Sequence, residues 1–153
     1  MLGPVNLGGA GRRLLPESVP ARFFGLAVFA HMAAWIALVW IAEDAPGFGG
    51  GPGSVLAAIH VLTLGVLLPT AMGASFQMLP VALGRLAPPV WACKTTFWLF
   101  LTGAALLVFG FARTRTEMIV AGAILTVLSI ALYVITLARV VRGARELRSR
   151  SRS

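Results

Sequence analysis

The sequence predicts an all-α integral membrane protein built as a four-helix bundle. Its 153 residues are 58% hydrophobic and only 12% charged, with a mean hydropathy of +0.89. A soluble domain carries roughly 25% charged residues, so this chain has too little polar surface to cover a water-facing exterior. Four apolar runs are also long enough to cross a bilayer core, which takes about 20 residues of helix. Intrinsic disorder and a disulfide scaffold are excluded, the latter because the chain has a single cysteine.

The four predicted spans follow one another through short connections bounded by charged residues or by glycine and proline. They cover residues 21–42, 54–80, 90–112 and 118–141. Only a tight turn containing Arg113 and Arg115 separates the last two, which predicts an antiparallel hairpin. Residues 1–20 are predicted to form a cytoplasmic N-terminal arm, and residues 142–153 a basic cytoplasmic tail.

Lysine and arginine accumulate on one side of the predicted bundle. They precede span one, flank the connection between spans two and three, and follow span four, where six of the thirteen basic residues occupy the last fifteen positions. The positive-inside rule therefore predicts that both termini face the cytoplasm of a bacterial-type inner membrane. The basic tail is interpreted as a topology anchor that attracts anionic lipid headgroups. Nucleic-acid binding is not expected, because no aromatic residues are interleaved with the charge.

Two histidines stand out, since no Asp, Glu, Lys or Arg lies deep within the spans. His31 and His60 are the only histidines of the chain, and both fall inside predicted spans. Neutral imidazole is a standard axial ligand of haem, although a structural histidine bonded to a neighbouring helix is the alternative. At a rise of about 1.5 Å per residue the two imidazoles differ in depth by about 9 Å. A single bis-histidine site therefore requires considerable tilt or a shifted span boundary, and His60 ranks above His31 as a ligand.

The second span also carries residues that shape a helix. Pro69 and Pro80 each remove a backbone donor, so the helix should bend in its middle and stop near its inner end. Gly65 and Gly73 carry no side chain, so another helix or a flat macrocycle could pack close to the backbone of this span.

These residues form a pattern along the first two spans. The pattern comprises Arg22-Phe-Phe, His60-Val-Leu-Thr-Leu-Gly65, Pro69, Gly73, Gln77-Met-Leu-Pro80, Gly84-Arg85 and Pro88-Pro89. It resembles the first two helices of subunit I of the haem-copper oxidase superfamily, in its cbb3-type and nitric-oxide-reductase-like branches. The Arg-Phe-Phe entry is also similar to that of the NnrS-like membrane haem proteins.

In the oxidase family the second helix starts with the low-spin haem ligand near the outer surface. The resemblance therefore implies that His60 ligates a b-type haem. It covers about half of the chain, and the remaining haem and copper ligands of the family have no counterpart here. A copper-containing reduction centre is thus not expected.

We therefore predict a membrane-embedded electron-transfer subunit that binds haem b through His60 within a larger respiratory or photosynthetic complex of membrane proteins. Arg113 and Arg115 are candidates to pair with haem propionates, and simple solvation of the loop is the alternative. The second axial ligand stays open among His31, a thioether of Met72, Met78 or Met32, and a residue of another chain. A quinone contact near His60, Thr63 or Gln77 is a further open alternative. Catalysis by this chain alone and a soluble substrate are not predicted.

Two other functions also stay open. The first is a haem-free structural or assembly subunit that contacts a larger complex through its small residues. Those residues are Ala27, Ala30, Ala34, Gly103, Ala104 and Gly122. The second is a small channel or carrier, which would need a polar pathway that the spans do not show. Cys93 is expected to be a packing residue, because no second cysteine is available.

Overall fold

The computed structural model describes residues 13–150, with side chains over residues 13–142, as four long helices. They are α1 (Ser18–Trp40), α2 (Ser54–Ala82), α3 (Val90–Ala112) and α4 (Thr116–Arg150). A short 3₁₀ turn, Ala45–Gly47, lies between α1 and α2. Each helix is long and apolar enough to cross a membrane, α4 over Thr116–Arg142. The predicted all-α, four-helix organisation is confirmed, and the architecture is that of a multi-pass membrane protein.

The ends of the bundle differ from the predicted boundaries. Helix α1 begins at Ser18, three residues before the predicted start of span one. Leu15 and Val19 are 4% and 1% exposed and belong to the hydrophobic core, so this part of the predicted arm packs on the bundle. Helix α4 continues to Arg150, into the predicted tail. The rest of the arm, residues 1–12, and the tail side chains beyond residue 142 lie outside the described residues.

The outward faces of the helices are strongly apolar. Along α1 alone, Phe29, Val39 and Trp40 are 72%, 77% and 85% exposed. Soluble monomers rarely expose contiguous apolar surface of this kind, because burying it in lipid or protein is favourable. This distribution favours a bilayer around the helices.

A cluster of aromatic rings joins all four helices. Phe23 of α1 packs edge-on against Phe76 of α2 and Phe97 of α3, with ring centroids 5.7 and 5.2 Å apart. Tyr133 of α4 packs edge-on against Phe76 at 5.2 Å. Edge-to-face pairs contribute about 0.5–1.5 kcal/mol each beyond the burial of their area. The cluster therefore fixes the helices relative to one another in the half of the bundle where α1 begins and α2 ends.

Helices α1 and α2 approach each other closely at two glycines of α2. A Cβ atom added to Gly65 would lie 2.6 Å from Cβ of Ala30, and one added to Gly73 would lie 2.8 Å from Cβ of Phe23. Both distances are shorter than van der Waals contact. The glycine surface that the sequence offers to a helix or to a macrocycle is thus occupied by α1.

Helices α3 and α4 form a tight hairpin. A Cβ atom on Gly122 would lie 2.6 Å from the backbone nitrogen of Leu107 and 2.8 Å from the carbonyl oxygen of Gly103. Ser129 Oγ donates a buried hydrogen bond of 2.8 Å to the carbonyl of Thr96, which ties the two helices together. The connecting turn places Thr114 at a φ of 50°.

The small residues expected to contact other subunits pack instead against helices of the same chain. Ala27, Ala30 and Ala34 are 6%, 6% and 2% exposed, and Ala104 is 8% exposed. Ala30 packs on Gly65, while Gly103 and Gly122 face each other across the hairpin. The expectation of an external contact through these surfaces is therefore wrong, because the neighbouring helices of the same chain already cover them.

Cys93 lies in the first turns of α3 and is fully buried in the core. We expect it to resist N-ethylmaleimide in mild detergent and to react once SDS unfolds the bundle, because thiolate formation and reagent access both require exposure. The control is a Cys93→Ala/Ala82→Cys variant, whose thiol lies on the exposed Ala82 position at the same end of the bundle. Equal labelling rates for the two proteins in mild detergent would contradict the packing.

Candidate functional site

His60 lies at a change of helix type. It ends the α-helical first part of α2, Ser54–His60, and a π-helical segment, Val61–Leu67, follows directly. The side chain is half-buried, and its Nδ1 lies 2.8 Å from the carbonyl oxygen of Leu56, one turn earlier. A carbonyl can only accept, so in this bond Nδ1 carries the proton and the neutral ring has its lone pair on Nε2. Metal-ligating histidines commonly have this arrangement, in which a backbone carbonyl fixes both tautomer and ring orientation.

The π-helical segment has a local cause. Pro69 has no N–H, so the carbonyl of Gly65 loses its α-helical partner. The N–H of Leu68 bonds the carbonyl of Thr63, five residues earlier, which is the π-helical spacing. The hydroxyls of Thr63 and Thr70 donate to carbonyls one turn earlier, at 3.0 and 2.7 Å. Widened turns of this kind are frequent at functional sites, and this one begins next to His60.

The imidazole of His60 packs against helix α3. Its ring centroid lies 4.6 Å from that of Phe111, with the rings tilted by 42°. Phe111 stands one residue before the end of α3, and the exposed Arg113 and Arg115 follow in the turn to α4. The two arginines predicted to pair with propionates therefore lie at the same end of the bundle as His60.

His31 is placed differently. It is exposed on the outer face of α1, where Nε1 of Trp35 donates a hydrogen bond of 3.0 Å to its Nε2. The lone pair of the neutral ring is thus engaged, and the proton resides on Nδ1. His31 lines an apolar groove of about 320 Å³ together with Val66 and Thr70 of α2.

The structure does not bring the two histidines together. Ala30, the neighbour of His31, packs on Gly65, and Gly65 lies five residues further along α2 than His60. At 1.5 Å per residue this is a difference in depth of about 7.5 Å. His60 moreover packs on α3, whereas His31 faces outward from α1.

The methionines do not complete a site on His60 within the chain. Met72 and Met78 lie twelve and eighteen residues further along the same helix, about 18 and 27 Å away at the rise of a helix. Met72 is fully buried in the aromatic core, and Met78 is 68% exposed. Met32 is 64% exposed beside His31. Over the described residues, no group of three or more His, Cys, Asp and Glu side chains that could hold a metal ion is found.

Of the residues considered for a quinone, Thr63 lies within one turn of His60, whereas Gln77 is far from both. Gln77 is seventeen residues beyond His60, and its buried Oε1 has no hydrogen-bond partner. The hydroxyl of Thr63 is bonded to its own helix. Gln77 and His60 are therefore too far apart to contact the same quinone headgroup.

Two partners of His60 were not predicted from the sequence. The contact with the Leu56 carbonyl can be predicted from the local sequence, because an imidazole on a helix can reach the carbonyl four residues earlier. The contact with Phe111 cannot, because Phe111 lies 51 positions away and meets His60 only through the packing of α2 on α3.

Comparison of the chain with family models, curated proteins and solved structures found no match. The resemblance to the haem-copper oxidases thus depends on the residues of the first two spans alone.

Proposed function

We propose that this chain is a membrane-embedded electron-transfer subunit that binds a b-type haem through Nε2 of His60. It would act within a larger respiratory or photosynthetic complex of a bacterial-type cytoplasmic membrane, with both termini on the cytoplasmic side. One observation carries the proposal. His60 is held by the Leu56 carbonyl with its Nε2 lone pair available, whereas the lone pair of His31 is engaged by Trp35.

The residues around His60 fit one side of a haem site. Leu56 orients the imidazole, and Phe111 supplies an aromatic surface beside it. Arg113 and Arg115 provide positive charge at the same end, where carboxylates of the macrocycle would be paired. When bound, the haem supplies a one-electron iron couple whose potential depends on its axial ligands and on burial.

The second axial ligand would come from another membrane chain. His31, Met72 and Met78 are all placed away from His60, and the glycine surface of α2 is filled by α1. The haem would therefore lie at an interface between the α2–α3 end of this chain and a partner subunit. This agrees with the strongly apolar outer surface, which can meet lipid or protein.

The test is the visible absorption spectrum of the protein purified in mild detergent with its associated subunits, oxidised and then reduced. Expression must include an adequate haem supply. We expect a Soret band and, on reduction, the α band of a b-type haem. A colourless preparation of the intact complex would refute the proposal.

The second candidate function is a haem-free structural subunit of a membrane complex. It is favoured by α4, in which only 17% of the most apolar stretch is buried within the chain. Such a helix can present a long apolar face to another subunit. This candidate predicts no visible absorbance, together with loss of the complex when bulky polar residues are introduced at Val127 or Val134, which are 63% and 54% exposed.

A further inference from the structure

A cavity of about 540 Å³ opens at the end of the bundle opposite His60. Three separate segments contribute an arginine to its lining: Arg13 precedes α1, Arg85 lies between α2 and α3, and Arg139 is on α4. Its described lining residues include no Asp or Glu. Three positive charges thus converge on one cavity without a carboxylate among them.

The chemistry of this lining is that of a phosphate site. A guanidinium presents its N–H groups as a planar fork that matches the oxygens of a phosphate. The first turn of α3 also borders the cavity through Trp91 and Ala92, so the positive end of that helix dipole adds to the field. The buried Thr136, which is 5% exposed, lines the same space and brings a hydroxyl group.

The surroundings favour a lipid over a free anion. The cavity lies where α3 begins and the apolar part of α4 ends, the level at which phospholipid headgroups would surround a membrane-spanning bundle. Leu86, Leu132 and Val140 contribute apolar lining, and Trp91 is 63% exposed, as expected for a residue of the interfacial aromatic belt. We propose that this cavity binds the phosphate headgroup of an anionic phospholipid. The proposal is independent of the haem proposal, because it uses none of the residues around His60.

The fluorescence of Trp91, which lines the cavity, can report lipid binding there. A single-tryptophan variant, Trp35→Phe/Trp40→Phe/Trp98→Phe, is reconstituted into vesicles of phosphatidylcholine that contain brominated phosphatidylglycerol or, in parallel, brominated phosphatidylcholine. Bromine quenches a nearby indole, so the two titrations give the relative affinity for the anionic lipid. One basic residue near a membrane surface contributes about fivefold in affinity for anionic lipid. We therefore expect quenching of Trp91 to favour phosphatidylglycerol by at least about fivefold.

The decisive variant is Arg85→Gln/Arg139→Gln in the same background, for which we expect the preference to fall by at least about fivefold, with Arg13 retained in the cavity. The matched control is Arg145→Gln/Arg148→Gln, which removes the same charge from the basic tail. We expect the control to keep most of the preference. An unchanged preference in the cavity variant, or an equal loss in the tail control, would overturn the proposal.

Two further experiments, a competition with inorganic phosphate and a lysine variant, identify the source of the phosphate and control for misfolding. Inorganic phosphate in the vesicle buffer should not abolish the preference; if it does, the site binds a free anion and the lipid assignment is wrong. Arg85→Lys/Arg139→Lys keeps the charge but lacks the planar fork, so we expect a preference between those of the parent and the glutamine variant. A lysine variant that folds and shows no preference at all would contradict an electrostatic headgroup site.

Discussion

Replacing Gly122 by leucine is expected to separate α3 from α4 and to leave little folded protein. A Cβ atom at this position would lie 2.6 Å from a backbone nitrogen of α3 and 2.8 Å from a backbone carbonyl oxygen. Backbone atoms of a packed helix cannot turn aside as a flexible side chain can, so the helices must move apart. That movement also breaks the hydrogen bond from Ser129 to Thr96. Overpacking costs typically 1–3 kcal/mol, and we expect more than about 3 kcal/mol here.

Gly25 provides the matched control for this substitution. It lies within α1, it is exposed, and no atom lies within 4 Å of a Cβ added to it. Gly25→Leu should be neutral or stabilising, because leucine favours a helix over glycine by up to about 1 kcal/mol. Both variants are compared with the parent by thermal unfolding and size-exclusion chromatography in mild detergent. Similar unfolding temperatures for Gly122→Leu and Gly25→Leu would show that the hairpin is not packed as described.

The contrast between these two glycines shows what the sequence can and cannot specify. Hydropathy and length are local properties, so four apolar runs predict four helices without knowledge of their neighbours. Whether a small residue faces lipid or another helix depends on which helices are adjacent. Gly25 and Gly122 both lie in apolar runs, yet one meets open space and the other a backbone. For the same reason the sequence leaves an external contact of Ala30 open, although Ala30 packs on Gly65.

The environment of the two histidines can be predicted from the sequence in part. Depth along the helix, which follows from counting residues, already ranked His60 above His31. The hydrogen-bond roles that separate them also have sequence signals, since Leu56 precedes His60 by four residues and Trp35 follows His31 by four. The packing of His60 on Phe111 has no local signal, because it depends on how α2 lies against α3.

The arginine-lined cavity at the end of the bundle opposite His60 cannot be predicted from the sequence. Arg13, Arg85 and Arg139 are separated by 72 and 54 positions in the chain. As a pattern of charge they predict only the orientation of the bundle. Their convergence follows from the alternation of four helices, which returns the start of α1, the connection between α2 and α3 and the end of the apolar part of α4 to one end.

Replacing His60 by alanine is expected to remove the haem bands, whereas replacing His31 leaves them unchanged. Nε2 of His60 is the ligating atom in the proposed site, and among the described residues His31, Met72 and Met78 all lie away from it. His31 is bonded to Trp35 on the outer face of α1, so its loss changes that face and leaves the contacts of His60 with Leu56 and Phe111 in place. Both variants are purified with their associated subunits, and the reduced-minus-oxidised spectrum is recorded per mole of folded protein. Equal loss in both variants would point to a bis-histidine site and contradict the separation of the two rings.

The loss in His60→Ala must be distinguished from a general loss of structure. His60→Gly leaves space for free imidazole, which can occupy the ligand position without the covalent link to the helix. If His60 is an axial ligand, imidazole in the buffer should restore the Soret and α bands of His60→Gly. It should have no effect on His31→Gly, whose bands are already those of the parent. If the His60→Gly protein elutes as the intact complex but stays colourless at saturating imidazole, His60 acts through packing on Phe111 and not through the iron.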